Sequence, residues 1–214
     1  MTLRCIVFDV GETLIDETRQ WGEWADWLGV PRLGFFAALG AVIDRGEHHR
    51  EVFQLLRPGF DAKSALQQRK AAGRAYRHGV TDLYPDARPC LERLRGAGFR
   101  VGIAGNQPAE AEQELRDLGL AADFIGSSGG WEVEKPAPAF FRKVAESAGF
   151  PPREIAYVGD HLQNDVLPAR AAGFRTLLLR RGPWGYLHAG RPEAAQADLV
   201  LQDLSGLPEV LERL

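Results

Sequence analysis

The sequence predicts an α/β protein built on a doubly wound parallel sheet, with a helical segment inserted near its start. Three observations carry this reading. Short apolar runs, most of them rich in β-branched residues, recur along the chain and end in polar or Gly-containing turns, as buried parallel strands do. Amphipathic stretches of helical period separate them, and that alternation calls for parallel strands joined by right-handed crossovers. Between Asp16 and Thr81, however, no strand pattern occurs. The predicted organisation is therefore a core of residues 1–15 and 82–214, interrupted by a helical cap at 16–81.

The first strand is Cys5-Ile6-Val7-Phe8, and it ends abruptly in Asp9-Val10-Gly11-Glu12-Thr13-Leu14. Asp16-Glu17-Thr18 suits the first turn of a helix, because acids and hydroxyls complement the exposed N–H groups there. Trp21, Trp24, Trp27 and Leu28 then recur at helical spacing, and Pro31 ends the segment. Leu33, Phe35, Phe36, Leu39, Val42 and Ile43 form a second amphipathic stretch up to Gly46. Two more helices are expected, about Glu47 to Leu56 and Asp61 to Tyr76, split by the breaker Arg57-Pro58-Gly59. Four helices of this kind make a small bundle.

Past the insertion, Pro85 or Asp86 starts a helix carrying Leu91 and Leu94, which leads into the strand Arg100 to Ala104. A helix from Ala109 to Leu118, a short strand at Phe124-Ile125 and a loop from Ser127 to Val133 follow. Glu134-Lys135-Pro136 opens the next helix, through Ala148, since proline fits a first turn. The strand Ile155 to Val158, the turn Gly159-Asp160, a short helix from Asn164 to Ala172 and the strand Arg175 to Leu179 come next. Asp198 to Leu201 is the last strand and Leu207 to Leu214 the last helix. The stretch Pro183 to Gln196 carries turn residues and no recognisable motif.

With 214 residues, 45% hydrophobic and 26% charged, the chain can bury a sizeable core. A net charge of −3 speaks against a nucleic-acid or acidic-membrane partner, which would favour a basic face. No apolar run approaches the roughly 20 residues of a membrane span, and no signal-peptide pattern precedes the first strand, so a cytoplasmic location is expected. Cys5 and Cys90 lie in a strand and a helix without a CxxC, and are expected to be buried, reduced thiols.

Function is sought at the strand ends, where open α/β sheets place their ligands. Asp9 stands at such an end, either as a site residue or as a simple turn cap. Gly105-Asn106, Lys135, and Gly159-Asp160 with Asn164-Asp165 occupy the corresponding turns elsewhere. Asp9 and Asp160 on adjacent strands form a carboxylate pair suited to Mg2+, which keeps several waters and meets one or two protein carboxylates. Lys135 would offset the remaining charge. A cation and an ammonium beside a carboxylate suit an approach to an anionic phosphoryl group that the carboxylate alone would repel.

These residues also carry a resemblance to the haloacid dehalogenase superfamily. Phe8-Asp9-Val10-Gly11-Glu12-Thr13-Leu14, Ile103-Ala104-Gly105-Asn106, Glu134-Lys135-Pro136-Ala137-Pro138 with Phe140, and Val158-Gly159-Asp160-His161-Leu162-Gln163-Asn164-Asp165 match its motifs in order and spacing. Tyr84-Pro85-Asp86 and Ala171-Ala172-Gly173 look like further members of the pattern, and the helical insertion resembles the cap of its dehalogenase-like branch. The resemblance implies a Rossmann-like core and a hydrolase, with Asp9 as nucleophile and Lys135 as phosphate clamp. It implies a metal set of Asp9, Gly11, Asp160 and Asp165 for Mg2+, and substrate contacts from Thr13, Gly105, Asn106 and Lys135. The expected substrate is a small anionic phosphorylated compound, and the oligomeric state stays open.

Two positions depart from the family's phosphatases, which usually carry a second Asp where Gly11 stands and a Ser or Thr where Gly105 stands. A positioned general acid is worth roughly 100-fold to 10,000-fold, so its loss weakens expulsion of a poor leaving group. Dehalogenases and phosphonate hydrolases of the family also lack that Asp, whereas dehalogenases typically lack the Gly159-Asp160 pair. A dehalogenase-like or phosphonate-like hydrolase, or a non-catalytic binding protein, is thus the alternative. Glu12 either supplies the missing acid or points to solvent at the cap hinge. The Trp stripe reads as cap core or pocket lining, Arg32 and Arg57 as solvated, His48-His49 as a charged helical face, His161 as secondary to the metal, and Arg180-Arg181 as an exposed rim.

Overall fold

The computed structural model describes residues 2–211. It divides into two compact units, Met1–Asp16 with His78–Leu214, and Glu17–Arg77. The larger unit holds a sheet of six parallel strands: β1 (Cys5–Phe8), β2 (Arg100–Gly105), β3 (Phe124–Ser127), β4 (Ile155–Gly159), β5 (Arg175–Leu179) and β6 (Leu199–Leu201). Their order is β3-β2-β1-β4-β5-β6. β1 lies at the centre, with Phe8 registered against Ile103 on one side and Val158 on the other. The order of connection reverses between β1 and β4, so a crevice opens there at the carboxyl ends of the strands.

The smaller unit is helical: α1 (Thr18–Leu28), α2 (Arg32–Asp44), α3 (Glu51–Leu56) and α4 (Ala62–Ala71). Trp21 and Phe35 are buried in its core with rings 6.0 Å apart. Trp24 packs edge-on to Phe53 beneath the Arg69 guanidinium, and half-buried Trp27 lines an open cleft of about 320 Å³ with Arg57 and Phe60. The Trp stripe thus serves as core at one end and as cleft wall at the other. Arg32 is exposed and paired with Asp26 at 2.7 Å.

Several helix starts differ from expectation. α1 has no acid in its first turn, because Glu17 lies just before it and accepts from the Trp21 indole at 3.1 Å. α3 begins at Glu51, so His48 and His49 lie outside any helix, and His49 lies edge-on to Trp21. α4 starts where expected, with Asp61 as its cap accepting from the Ser64 N–H at 3.0 Å, but the helix stops short of the expected Tyr76.

Seven helices flank the sheet: α5 (Ala87–Gly96), α6 (Glu110–Asp117), α7 (Ser128–Trp131), α8 (Pro138–Ala148), α9 (Leu167–Ala171), α10 (Gly182–His188) and α11 (Leu207–Leu211). Strand side chains alternate between faces, which splits the core in two. Ile6 and Phe8 join Leu91 and Leu94 of α5, Leu115 of α6 and Leu207 of α11. Cys5 and Val7 join Phe140, Phe141 and Val144 of α8 and Ala169 of α9. Both thiols are free and buried, and burial pushes each up to about 12.

The expected loop Ser127 to Val133 contains α7, because the Ser127 hydroxyl accepts from the Gly130 N–H and starts a turn. α8 begins at Pro138 rather than beside Lys135, after a cis Lys135–Pro136 bond. Before α9 the chain makes a wide π-helical turn over Leu162–Val166. The stretch read as featureless forms α10 and a 3-10 segment at Pro192–Gln196. The last three residues of the expected final helix lie outside the described residues. Among the described residues no single helix is long and apolar enough to cross a membrane.

Candidate active site at the carboxyl ends of β1 and β4

Asp9 follows β1 directly, and its N–H donates to the Val158 carbonyl of β4 at 2.9 Å, which fixes where its side chain leaves the sheet. Asp160 follows β4. Lys135 comes from the loop before α8, and Asp165 from the π-helical turn. These four side chains are almost fully buried. The Lys135 ammonium donates to Asp9 Oδ1 and Asp165 Oδ1, both at 2.6 Å. Asp165 Oδ2 accepts from the His161 main-chain N–H at 3.0 Å. Oxygens of Asp9, Asp160 and Asp165 lie within 4.8 Å of one another.

Burial pushes the Asp9 carboxyl up to about 6, with Lys135 pulling it down and Asp165 pushing it further up. Burial alone would depress the Lys135 ammonium, but Asp165 and Asp9 outweigh it and hold it well above its ordinary value. Fully ionised, three carboxylates and one ammonium leave a buried charge of −2. Uncompensated charge of that size is costly in a dry site, so the donor set fits a hard divalent cation held by carboxylate oxygen.

Asn106 grips Lys135 from the β2 side. Its carboxamide nitrogen donates to the Lys135 carbonyl at 3.0 Å, and its oxygen accepts from the Lys135 N–H at 2.7 Å. The Asn106 carboxamide is thus committed to the lysine backbone. Two glycines make room for the carboxylates. A Cβ at Gly105 would stand 2.5 Å from Asp9 Oδ1, and one at Gly159 would stand 2.3 Å from Asp165 Oδ2. Gly11 bridges to Ile15 in the turn beyond Asp9. Thr13 is buried, and its hydroxyl has no hydrogen-bond partner among the described residues.

The solvent-facing placement of Glu12 does not hold, since its exposure is 4%. Its carboxylate accepts from the Tyr84 hydroxyl at 2.5 Å through Oε2. Arg181 is buried rather than exposed on the rim, donating to the Thr13 carbonyl at 3.0 Å and pairing with Asp86. Its position immediately beyond β5 is the same strand-end signal that marks Asp9. His161 accepts from the Asn164 N–H and stacks with Trp184, beside His188. Burial pushes both imidazoles down to about 3, so they are neutral.

Known proteins resemble this chain in sequence and in fold. The haloacid dehalogenase-like hydrolase family matches residues 3–173. Haloacid dehalogenase-like hydrolase domain-containing protein 3 of Danio rerio is 32% identical over 133 residues, 61% of this chain and 53% of the relative. Glyceraldehyde 3-phosphate phosphatase of Methanopyrus kandleri is 34% identical over 151 residues, 67% of this chain and 64% of the relative. The matched region thus spans about half to two thirds of these relatives. The magnesium-bound HAD-hydrolase YfnB of Bacillus subtilis shares the fold, with a TM-score of 0.73 at 20% identity over 99% of both chains. Fold, strand-end residues and family match agree, and the chain belongs to the haloacid dehalogenase-like hydrolase family.

Proposed function

We propose that the protein is a Mg2+-dependent phosphatase that acts on a small phosphorylated compound through an aspartyl-phosphate at Asp9. The observation that carries this reading is the buried cluster of Asp9, Asp160 and Asp165 around Lys135, with its residual charge of −2. Relatives named as phosphatases of glyceraldehyde 3-phosphate and phosphoglycolate support the substrate class. A structural neighbour whose crystals hold magnesium supports the metal.

In this reading Asp9 and Asp160 would hold the cation, with Gly11 offering its carbonyl and Asp165 in support. The cation, when bound, neutralises the phosphoryl oxygens so that a carboxylate can approach them. Lys135 holds Asp9 Oδ1 and leaves Oδ2 to attack phosphorus. The bond from phosphorus to the leaving-group oxygen breaks as the new Asp9–phosphorus bond forms, and the leaving group departs with the electron pair. Water then attacks phosphorus, the bond between phosphorus and the Asp9 oxygen breaks to restore the carboxylate, and phosphate leaves carrying the two protons of the water. Thr13, whose buried hydroxyl has no hydrogen-bond partner among the described residues, would meet the phosphoryl group together with the Gly105 and Asn106 backbone and the Lys135 ammonium.

No carboxylic acid stands at position 11, and one Glu12 oxygen accepts from Tyr84, so in this reading the leaving group departs without help from a carboxylic acid. Aryl and acyl phosphates, which expel stable anions, are accordingly favoured over alkyl phosphates. Phosphate release is measured with aryl and alkyl phosphates, with Mg2+ and with chelator, for the wild type and Asp160→Asn. The reading predicts release that needs Mg2+, favours the aryl substrate about 100-fold and is lost in Asp160→Asn. Undiminished release in chelator would contradict it.

A further inference from the structure

Glu12 is one of two non-glycine residues with positive φ among the described residues, at 50°. Side chains seldom adopt that left-handed region, and it persists only where surroundings over-determine it. The surroundings here are specific. The Glu12 carboxylate accepts from half-buried Tyr84 at 2.5 Å, and the Arg181 guanidinium lies 4.0 Å from the centre of the Tyr84 ring. Arg181 also donates to the Thr13 carbonyl and pairs with Asp86, whose Oδ2 accepts in turn from the Leu204 N–H at 2.9 Å. Gly182, itself at φ 62°, leaves the space that Glu12 fills, since a Cβ there would stand 2.3 Å from its Oε2.

These contacts converge on the short loop that carries Asp9. Its backbone closes on itself through Leu14 N–H to the Val10 carbonyl at 2.9 Å and Glu12 N–H to the Ile15 carbonyl at 2.7 Å. Tyr84 N–H donates to the Leu14 carbonyl at 3.0 Å and ties that loop to the start of α5. We propose that Glu12, Tyr84, Arg181 and Asp86 form a latch that fixes the loop from Asp9 to Thr13, with Glu12 a positioning residue and not a proton donor. Burial and the neighbouring Glu12 raise the Tyr84 hydroxyl, which keeps it a donor to the carboxylate. Its kinetic consequence rests on the phosphatase reading, because a held loop fixes Asp9 and Thr13 against the phosphoryl group.

The test compares Glu12→Ala, Glu12→Gln, Tyr84→Phe and Gly182→Ala in two measurements. The first is turnover of an aryl phosphate against pH, and the second is amide hydrogen exchange at residues 12–15. Glu12→Ala, Tyr84→Phe and Gly182→Ala are expected to lower kcat at least tenfold with KM within about twofold, and to speed exchange at those amides. Glu12→Gln keeps an acceptor for Tyr84, so it restores most of kcat and leaves the pH profile unchanged. Loss of the alkaline limb in Glu12→Gln would make Glu12 a proton donor and overturn the proposal. Native rate and protection in Tyr84→Phe would overturn it too. Should the wild type release no phosphate at all, the phosphatase reading fails, while the exchange arm still decides the latch.

Discussion

Gly105 shows how one residue constrains the chemistry. The sequence marks it as a missing hydroxyl, costing a hydrogen bond of about 1.5 to 3 kcal/mol to a charged oxygen. The structure gives the opposite emphasis: any side chain there meets Asp9 Oδ1 at 2.5 Å and drives the carboxylate off Lys135. Gly105→Ser is therefore expected to lower turnover at least tenfold, although it restores the residue type usual in related phosphatases. Steady-state kinetics on an aryl phosphate check this, and a faster variant would refute it. Asp9 and Asp160 are visible in sequence because charged groups after buried strands are conspicuous, and Lys135 is visible through the motif Glu134-Lys135-Pro136 before α8. Arg181 and Tyr84 are not, since an arginine after a strand defaults to solvent and a tyrosine before a helix to packing. Their contacts to Thr13, Asp86 and Glu12 join positions more than 70 residues apart, and no local pattern encodes them.

At the scale of elements, α8 contributes most to the second core layer. The Phe141 ring lies 5.5 Å from Phe140 and Tyr157 and 5.9 Å from Phe174, with no exposed surface. Phe141→Ala is expected to destabilise the protein by about 3 to 5 kcal/mol, read from urea unfolding. The α10 element, which the sequence leaves unassigned, brings His188 against the π-helical turn, where its Nδ1 accepts from the Leu162 N–H at 3.2 Å. That bond needs a neutral ring. The unfolded chain takes up a proton near pH 6.5, whereas the folded imidazole holds out to about 3. Stability contributed by His188 is thus intact above about pH 6.5 and drains away as pH falls toward 3. His188→Asn, which offers an oxygen to the same N–H, should flatten the decline in stability across that window, and an unchanged slope would contradict the assignment. Strands are legible because apolar runs are short and sharply bounded. Helix starts are less so, because Ser127 and Pro138 select them through individual bonds and torsions rather than through period.

For the whole molecule, the strand order β3-β2-β1-β4-β5-β6 places Asp9 and Asp160 on neighbouring strand ends. Sequence alternation predicts a parallel sheet, the motif order predicts the family, and the expected adjacency of the strands carrying Asp9 and Asp160 is realised as β1 beside β4. It turns two distant acids into one cluster with Lys135 and Asp165, and the function proposed here follows from that cluster. The central claim is that Asp9 becomes phosphorylated. Intact-mass analysis after incubation with Mg2+ and acetyl phosphate tests it most directly, with Asp9→Asn beside the wild type. A single phosphoryl adduct on the wild type that decays on removal of acetyl phosphate, and none on Asp9→Asn, is the predicted result. No adduct on the wild type together with no phosphate release, or an equal adduct on Asp9→Asn, would contradict it.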